Sequence, residues 1–167
     1  MILSIFSITT FTLLHVLVSV VGIVAGLVVA GGLVSGRRLD GWTDLFLVTT
    51  VLTNASGFAF PFVRFMPSYA IGALSLVVLL VVAVARYSKH LNGRWRTVYV
   101  VGSVVALYFN VFVLIAQLFH RIPSLIVLAP KQMEPPFLVT QLVVMGVFLW
   151  LGVVAVRGFQ AEGQGPP

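Results

Sequence analysis

Three histidines, His15, His90 and His120, have the widest chemical repertoire in this chain. His15 alone lies well inside an apolar run. It shares one helical stripe with Ser19, Gly22 and Gly26, at i, i+4, i+7 and i+11. An imidazole there can serve as an axial haem ligand, with Gly22 leaving room for the porphyrin. His120 is the candidate second ligand, but it sits nearer the surface, and His90 falls on the opposite membrane face. The pair is poorly matched. A histidine hydrogen-bonded to Asn54 or Asn110 is the preferred reading.

The amides come next. Thr50, Asn54, Gly57 and Pro61 share a stripe, with Thr49, Thr53 and Ser56 beside it. Ser103, Asn110, Gln117 and Arg121 form another, and Thr140 and Gln141 lie in a third segment. Polar side chains are costly in hydrocarbon, so their positions carry information. Bonds between helices, worth about 0.6 to 2 kcal/mol each, are the plainer use for Asn54, Asn110 and Gln117. The functional use is a pocket of His15, Asn54, Asn110 and Gln117, open to one side. It would take a quinone, a lipid headgroup or haem, with Tyr108, Phe109, Phe112 and Phe119 as aromatic walls.

Catalytic sets are scarce. Asp40 and Asp44, at i and i+4 beside Arg37 and Arg38, could grip a metal-bound phosphate. Helix capping by Asp44 or Thr43 explains them as well. Arg121 and Glu134 could pair across a loop. The run Glu134-Pro135-Pro136-Phe137 reads more simply as a helix start, with proline in the first turn and a carboxylate at the positive end. The absence of cysteine removes thiolate nucleophiles, Cys-ligated zinc and iron–sulfur clusters. No HExxH, Walker loop or Ser-His-Asp set is present, so an enzyme is not the favoured reading. Asp40, Asp44, Glu134 and Glu162 all fall at or outside the ends of apolar runs, leaving no intramembrane carboxylate relay.

Composition says what must position these residues. The 167 residues are 60% hydrophobic and 8% charged. A soluble domain carries about a quarter charged residues. Mean hydropathy is +1.13. A water-facing surface cannot be coated this way, and the net charge of +6 is better assigned to topology and anionic lipid than to nucleic acid. The chain therefore reads as an all-α, polytopic transmembrane helical bundle. It forms one domain over residues 1–159, with a short polar tail at 160–167.

A span needs about 20 apolar residues. Five runs qualify: Ile2–Val34, Thr43–Val63, Tyr69–Ala85, Val98–Phe119 and Phe137–Val156. Four or fewer remain possible if the second and third runs, joined by the hairpin at Arg64–Ser68, form a re-entrant pair. Pro61 should bend the second run, and Ser124–Leu128 is a short interfacial or re-entrant piece. The bases Arg37, Arg38, Arg86, Lys89, Arg94, Arg96 and Arg157 share one side, against Arg64, Arg121 and Lys131. That places the N-terminus outside and the C-terminus inside. Trp42, Trp95 and Trp150 fall near the basic side. Gly22-x-x-x-Gly26 suits close helix packing.

The stretches Asn54–Pro61 and Tyr108–Phe119, with Leu128-Ala129-Pro130 and Glu134–Phe137, resemble a group of small, uncharacterised multi-span proteins of the bacterial inner membrane. The resemblance implies that localisation and no activity. The leading expectation is a non-enzymatic accessory or assembly subunit, with membrane lipids and other subunits, or further copies of itself, as partners. A lipid-, quinone- or haem-binding module is the alternative. A transporter for a small neutral solute is the third, and it would need more polarity in the inner half.

Overall fold

The computed structural model describes residues 2–59 and 67–161, with side chains placed for 9–59 and 70–159. Pro61, Arg64 and the tail from Glu162 lie outside the described residues. Within them the chain is helical, without strands: α1 (Ile2–Val34), α2 (Asp40–Gly57), α3 (Pro67–Ala83), α4 (Arg94–Arg121), α5 (Pro123–Leu128) and α6 (Pro135–Ala161). Four helical stretches are long and apolar enough to cross a membrane: Thr9–Val34, Ala70–Ser88, Arg94–Arg121 and Pro135–Phe159. The shorter, more polar α2 is not among them.

The first run keeps its expected limits because its end is chemically marked. Gly36 takes φ 74°, and the N–H groups of Gly36 and Arg37 donate back to Leu33 and Gly32 at 3.2 and 2.8 Å. This left-handed cap satisfies carbonyls that the helix would otherwise leave bare. Other boundaries move. Arg94 and Arg121 are both helical, where the apolar run alone spans Val98–Phe119. Hydropathy marks where hydrocarbon would end, whereas a helix continues as long as its backbone bonds are met. For the same reason α6 continues past Val156 to Ala161.

At the end of α3, Val84–Ser88 forms a π-helical turn, closed by the Lys89 N–H on the Val84 carbonyl at 3.0 Å. Such turns change the register of side chains around the axis. Arg86, expected in a solvated basic loop, is instead buried on this turn. His90 and Leu91 follow with φ of 48° and 58°.

The five long helices run up and down in alternation. His15 meets Ser56, Gly26 faces Phe46, and Gly32 faces Leu39, so α1 and α2 are antiparallel. Asn54 meets Ser75 while Asp44 meets Arg86, which sets α2 against α3 in the same way. Gly152 faces Val104 while Gln141 meets Phe112, so α4 runs opposite to α6, and the short connection at 89–93 turns it back along α3, where Gly102 faces Val82. The Gly22-x-x-x-Gly26 motif does pack closely. A Cβ on Gly26 would fall 2.6 Å from Leu107 Cδ1 and 2.9 Å from the Phe46 ring.

The main core lies toward the end bearing Arg86. Tyr99, Phe46, Leu33, Leu107, Val82 and Val100 are its largest fully buried apolar side chains. Among the described side chains, α1 has none buried before Gly22, α2 none after Thr50, and α4 none between Leu107 and Phe119. α3 and α6 are the exceptions, with Ser75 and Gln141 buried. A small second cluster of Phe119, Ala129 and Phe137 closes the other end beneath α5.

Candidate functional site

Polar side chains join the helices in two layers. The first contains the residues singled out from sequence. The His15 Nδ1 shares a hydrogen bond with Ser56 Oγ at 2.8 Å. The partner is therefore Ser56 rather than Asn54 or Asn110, because the antiparallel register of α1 and α2 brings the imidazole one turn beyond Thr53. Asn54 donates to Ser75 Oγ at 2.9 Å, and Asn110 donates to Thr50 Oγ1 at 3.1 Å. Gln117 is exposed and accepts from its own-helix neighbour Arg121 at 3.4 Å.

Three of the four residues thus tie α2 to α1, α3 and α4, each with a different partner. Beyond Thr50 no α2 side chain is buried, and there polar bonds, which hydrocarbon does not compete for, join the helix to its neighbours. His15, Asn54 and Asn110 all remain half-buried. Tyr108, two residues before Asn110 and so on the opposite side of α4, has its ring centroid 5.8 Å from Phe109, 6.1 Å from Phe112 and 5.6 Å from Phe148. Phe119 stands apart, edge-on to Phe137 at 5.3 Å. The rings gathered around Tyr108 therefore include Phe148 of α6 and not Phe119.

His120 is exposed in the last turn of α4. Among the described residues, no group of three or more His, Asp or Glu side chains is placed to hold a metal ion. Arg121 and Glu134 take separate partners. The Glu134 carboxylate accepts the backbone N–H groups of Lys131 and Met133 at 3.2 and 3.0 Å, just ahead of Pro135 at the start of α6. Desolvation is the largest single effect and pushes its pKa up, but the backbone N–H bonds and the Lys131 charge together outweigh it and lower the pKa.

The second layer was missed from sequence. Arg86 places Nη2 2.9 Å from Asp40 Oδ1 and 3.1 Å from Asp44 Oδ1, with its side chain 4% exposed. Tyr87 donates its hydroxyl to the same Asp44 oxygen. Arg38 binds Asp40 at 2.7 Å, and Thr43 Oγ1 meets the Tyr99 hydroxyl at 3.1 Å. The Arg38 hydrogen bond is the main reason that the Asp40 carboxyl titrates below its ordinary value; desolvation opposes it, and the Arg38 and Arg86 charges add to it. Neither Asp44 nor Thr43 caps α2: the cap position is Leu39, with no side-chain bond, and Thr43 Oγ1 donates to the Leu39 carbonyl at 2.9 Å. Both acids are neutralised by arginine, which leaves little charge for a metal-bound phosphate. The one signal in the sequence was the pair of acids one turn apart at an apolar boundary, which calls for a buried base.

At this same end, Arg38, His90, Leu91, Arg96 and Phe159 line a cleft of about 270 Å³. The chain matches no protein-family model, and comparisons with curated proteins and with solved structures return no match.

Proposed function

We propose that the protein is a non-enzymatic integral membrane protein that serves as an accessory or assembly subunit, with α6 as the helix it presents to a neighbouring subunit. The observation that carries this reading is the one-sided packing of α6. Its most apolar window is 11% buried within the bundle, against 28%, 28% and 33% for the other three long apolar stretches. Leu138, Val139, Leu142, Val143, Leu149 and Val153 are all exposed along it. Lipid can cover such a face, and so can a partner helix.

Five crossings remain the favoured topology. α2 has 18 residues and lies antiparallel to α1 and α3. At about 1.5 Å per residue it is nearly as long as the hydrocarbon core is thick, about 30 Å. The basic loops at 35–39 and 89–93 then face the cytoplasm, with the N-terminus outside, in a bacterial inner membrane.

The test is photo-crosslinking in native membranes from a benzophenone residue in place of Leu142, compared with the same residue in place of Leu80. A discrete protein adduct at Leu142 and none at Leu80 is expected. Lipid adducts alone at both positions would remove the accessory-subunit reading.

A second reading rests on the half-buried His15, Asn54 and Asn110 at the junctions of α2 with α1, α3 and α4. Those groups suit an amphiphile with one polar end, such as a quinone, a lipid or haem. An absorption spectrum and solvent extraction of gently purified protein would test it. A Soret band lost in His15→Ala, or a stoichiometric quinone, supports it. A colourless, ligand-free sample removes it.

A further inference from the structure

The cleft at the Arg86 end has no part in the proposed use of α6, yet its lining has a definite chemical character. Four separate chain segments converge on it. Arg38 comes from the α1–α2 connection, His90 and Leu91 from the α3–α4 connection, Arg96 from the first turn of α4, and Phe159 from the end of α6. We propose that this cleft binds a phosphate-bearing anion, held by Arg96, His90 and Arg38 and floored by Phe159 and Leu91.

The backbone is built to hold this shape. His90 and Leu91 are consecutive non-glycine residues in the left-handed region, at φ 48° and 58°. That conformation is unfavourable for both and persists only where surrounding contacts enforce it. Leu91 supplies the contacts: its side chain is 6% exposed, within the main core, and its N–H donates to the Ala85 carbonyl at 3.0 Å. The strain turns the chain so that Leu91 points inward and leaves His90 exposed at the rim. Arg96 is oriented too, with its guanidinium carbon 5.7 Å from the Phe159 ring centroid. Stacking of this kind fixes the plane of the fork and leaves its edge for an anion.

The charge balance has the required sign. Arg37, Arg38, Arg86, Lys89, Arg94, Arg96 and Arg157 stand at this end against Asp40 and Asp44, among the described residues. Asp40 and Asp44 are both occupied by Arg86, and Arg38 is shared with Asp40 through its Nε. Arg96 has no carboxylate on it in any described ion pair. The volume of about 270 Å³ falls just short of the pockets that enclose drug-sized ligands, about 300–1,000 Å³. It suits a phosphate with a short polar substituent. An anionic phospholipid headgroup and a free phosphate share that chemistry.

The experiment uses the full chain purified in neutral detergent. One arm measures retention of phosphatidylglycerol, against phosphatidylcholine, by native mass spectrometry. The other measures inorganic phosphate by equilibrium dialysis. Wild type is expected to retain at least one of the two anions stoichiometrically: phosphatidylglycerol alone identifies a lipid headgroup site, and inorganic phosphate binding identifies a soluble-anion site. Arg96→Gln should weaken binding by about tenfold, the worth of one charge-assisted contact. Arg94→Gln, which removes an equal charge outside the cleft, should change it by less than about twofold. His90→Asn keeps a residue tolerant of left-handed backbone and should also weaken binding, which secures the test if Arg96→Gln does not fold. Equal losses for Arg94→Gln and the cleft variants would overturn the site in favour of general surface charge. So would a wild type that retains neither anion.

Discussion

Arg86 Nη2 lies 3.1 Å from the Asp44 carboxylate, joining the π-helical turn after α3 to the second turn of α2. The arginine is buried and the acid is half exposed, so the two ends of this pair respond differently to loss of the partner. Replacing both Asp44 and Asp40 by Asn should strand a buried guanidinium and cost about 3–5 kcal/mol. Arg86→Gln frees two acids that can turn to solvent, and should cost less. Thermal unfolding in a mild detergent would rank the two. Equal losses would mean that the Arg86 charge is solvated and the ion pairs contribute little.

The Asn110–Thr50 bond offers a measurement of what the polar layer contributes. A double-mutant cycle with Asn110→Leu and Thr50→Val should give a coupling of about 0.6 kcal/mol, and no more than about 2. A coupling near zero would place the amide in contact with something other than Thr50.

Two glycines on α6 should respond in opposite directions. A Cβ on Gly158 would overlap the backbone carbonyl of Val34, which cannot turn away. Gly158→Ala should therefore push α6 off α1 and cost about 1–3 kcal/mol. Nothing lies within 4 Å of the corresponding point on Gly146, so Gly146→Ala should stabilise α6 by up to about 1 kcal/mol. Melting curves of the two variants test the α1–α6 contact directly.

Acid should weaken the Arg86 layer through Asp40. The folded state holds this carboxyl below its ordinary value of 3.8, chiefly through the Arg38 hydrogen bond. A depressed folded value means stability that is complete above the unfolded value and fades as pH falls through the folded one. Asp40 is 57% exposed, so solvent screens the effect and it should be small. The melting midpoint should drop more between about pH 5 and about pH 3 in wild type than in Asp40→Asn. Identical pH profiles would show that Asp40 gains nothing from Arg38 on folding.

The limits of α1, the start of α6 near Pro135 and the short helix at Pro123–Leu128 were largely legible, because hydropathy, glycine and proline mark them directly. That His15, Asn54 and Asn110 bond across to neighbouring helices was legible too. Their partners were not. A stripe gives the height of a residue along its helix, while the partner depends on rotation and register of a second helix. Ser56 and Ser75 were invisible as partners for that reason. Arg86 was hidden twice: it continues a run of loop bases in the sequence, and a π turn alters the face on which it emerges. Its acids lie 46 and 42 residues away, beyond any local pattern.

The uneven distribution of buried residues sets how this bundle comes apart. Helices usually detach one by one, each taking its contacts along. Here the main contacts form a band at one end, shared by all five long helices, while their far halves meet through a few polar bonds and the Phe119–Phe137 contact. The far halves can splay while the band holds. Amide exchange should then grade along every helix in parallel, fast at the His15 end and slow near Tyr99, so the layer, and not the helix, is the unit of opening.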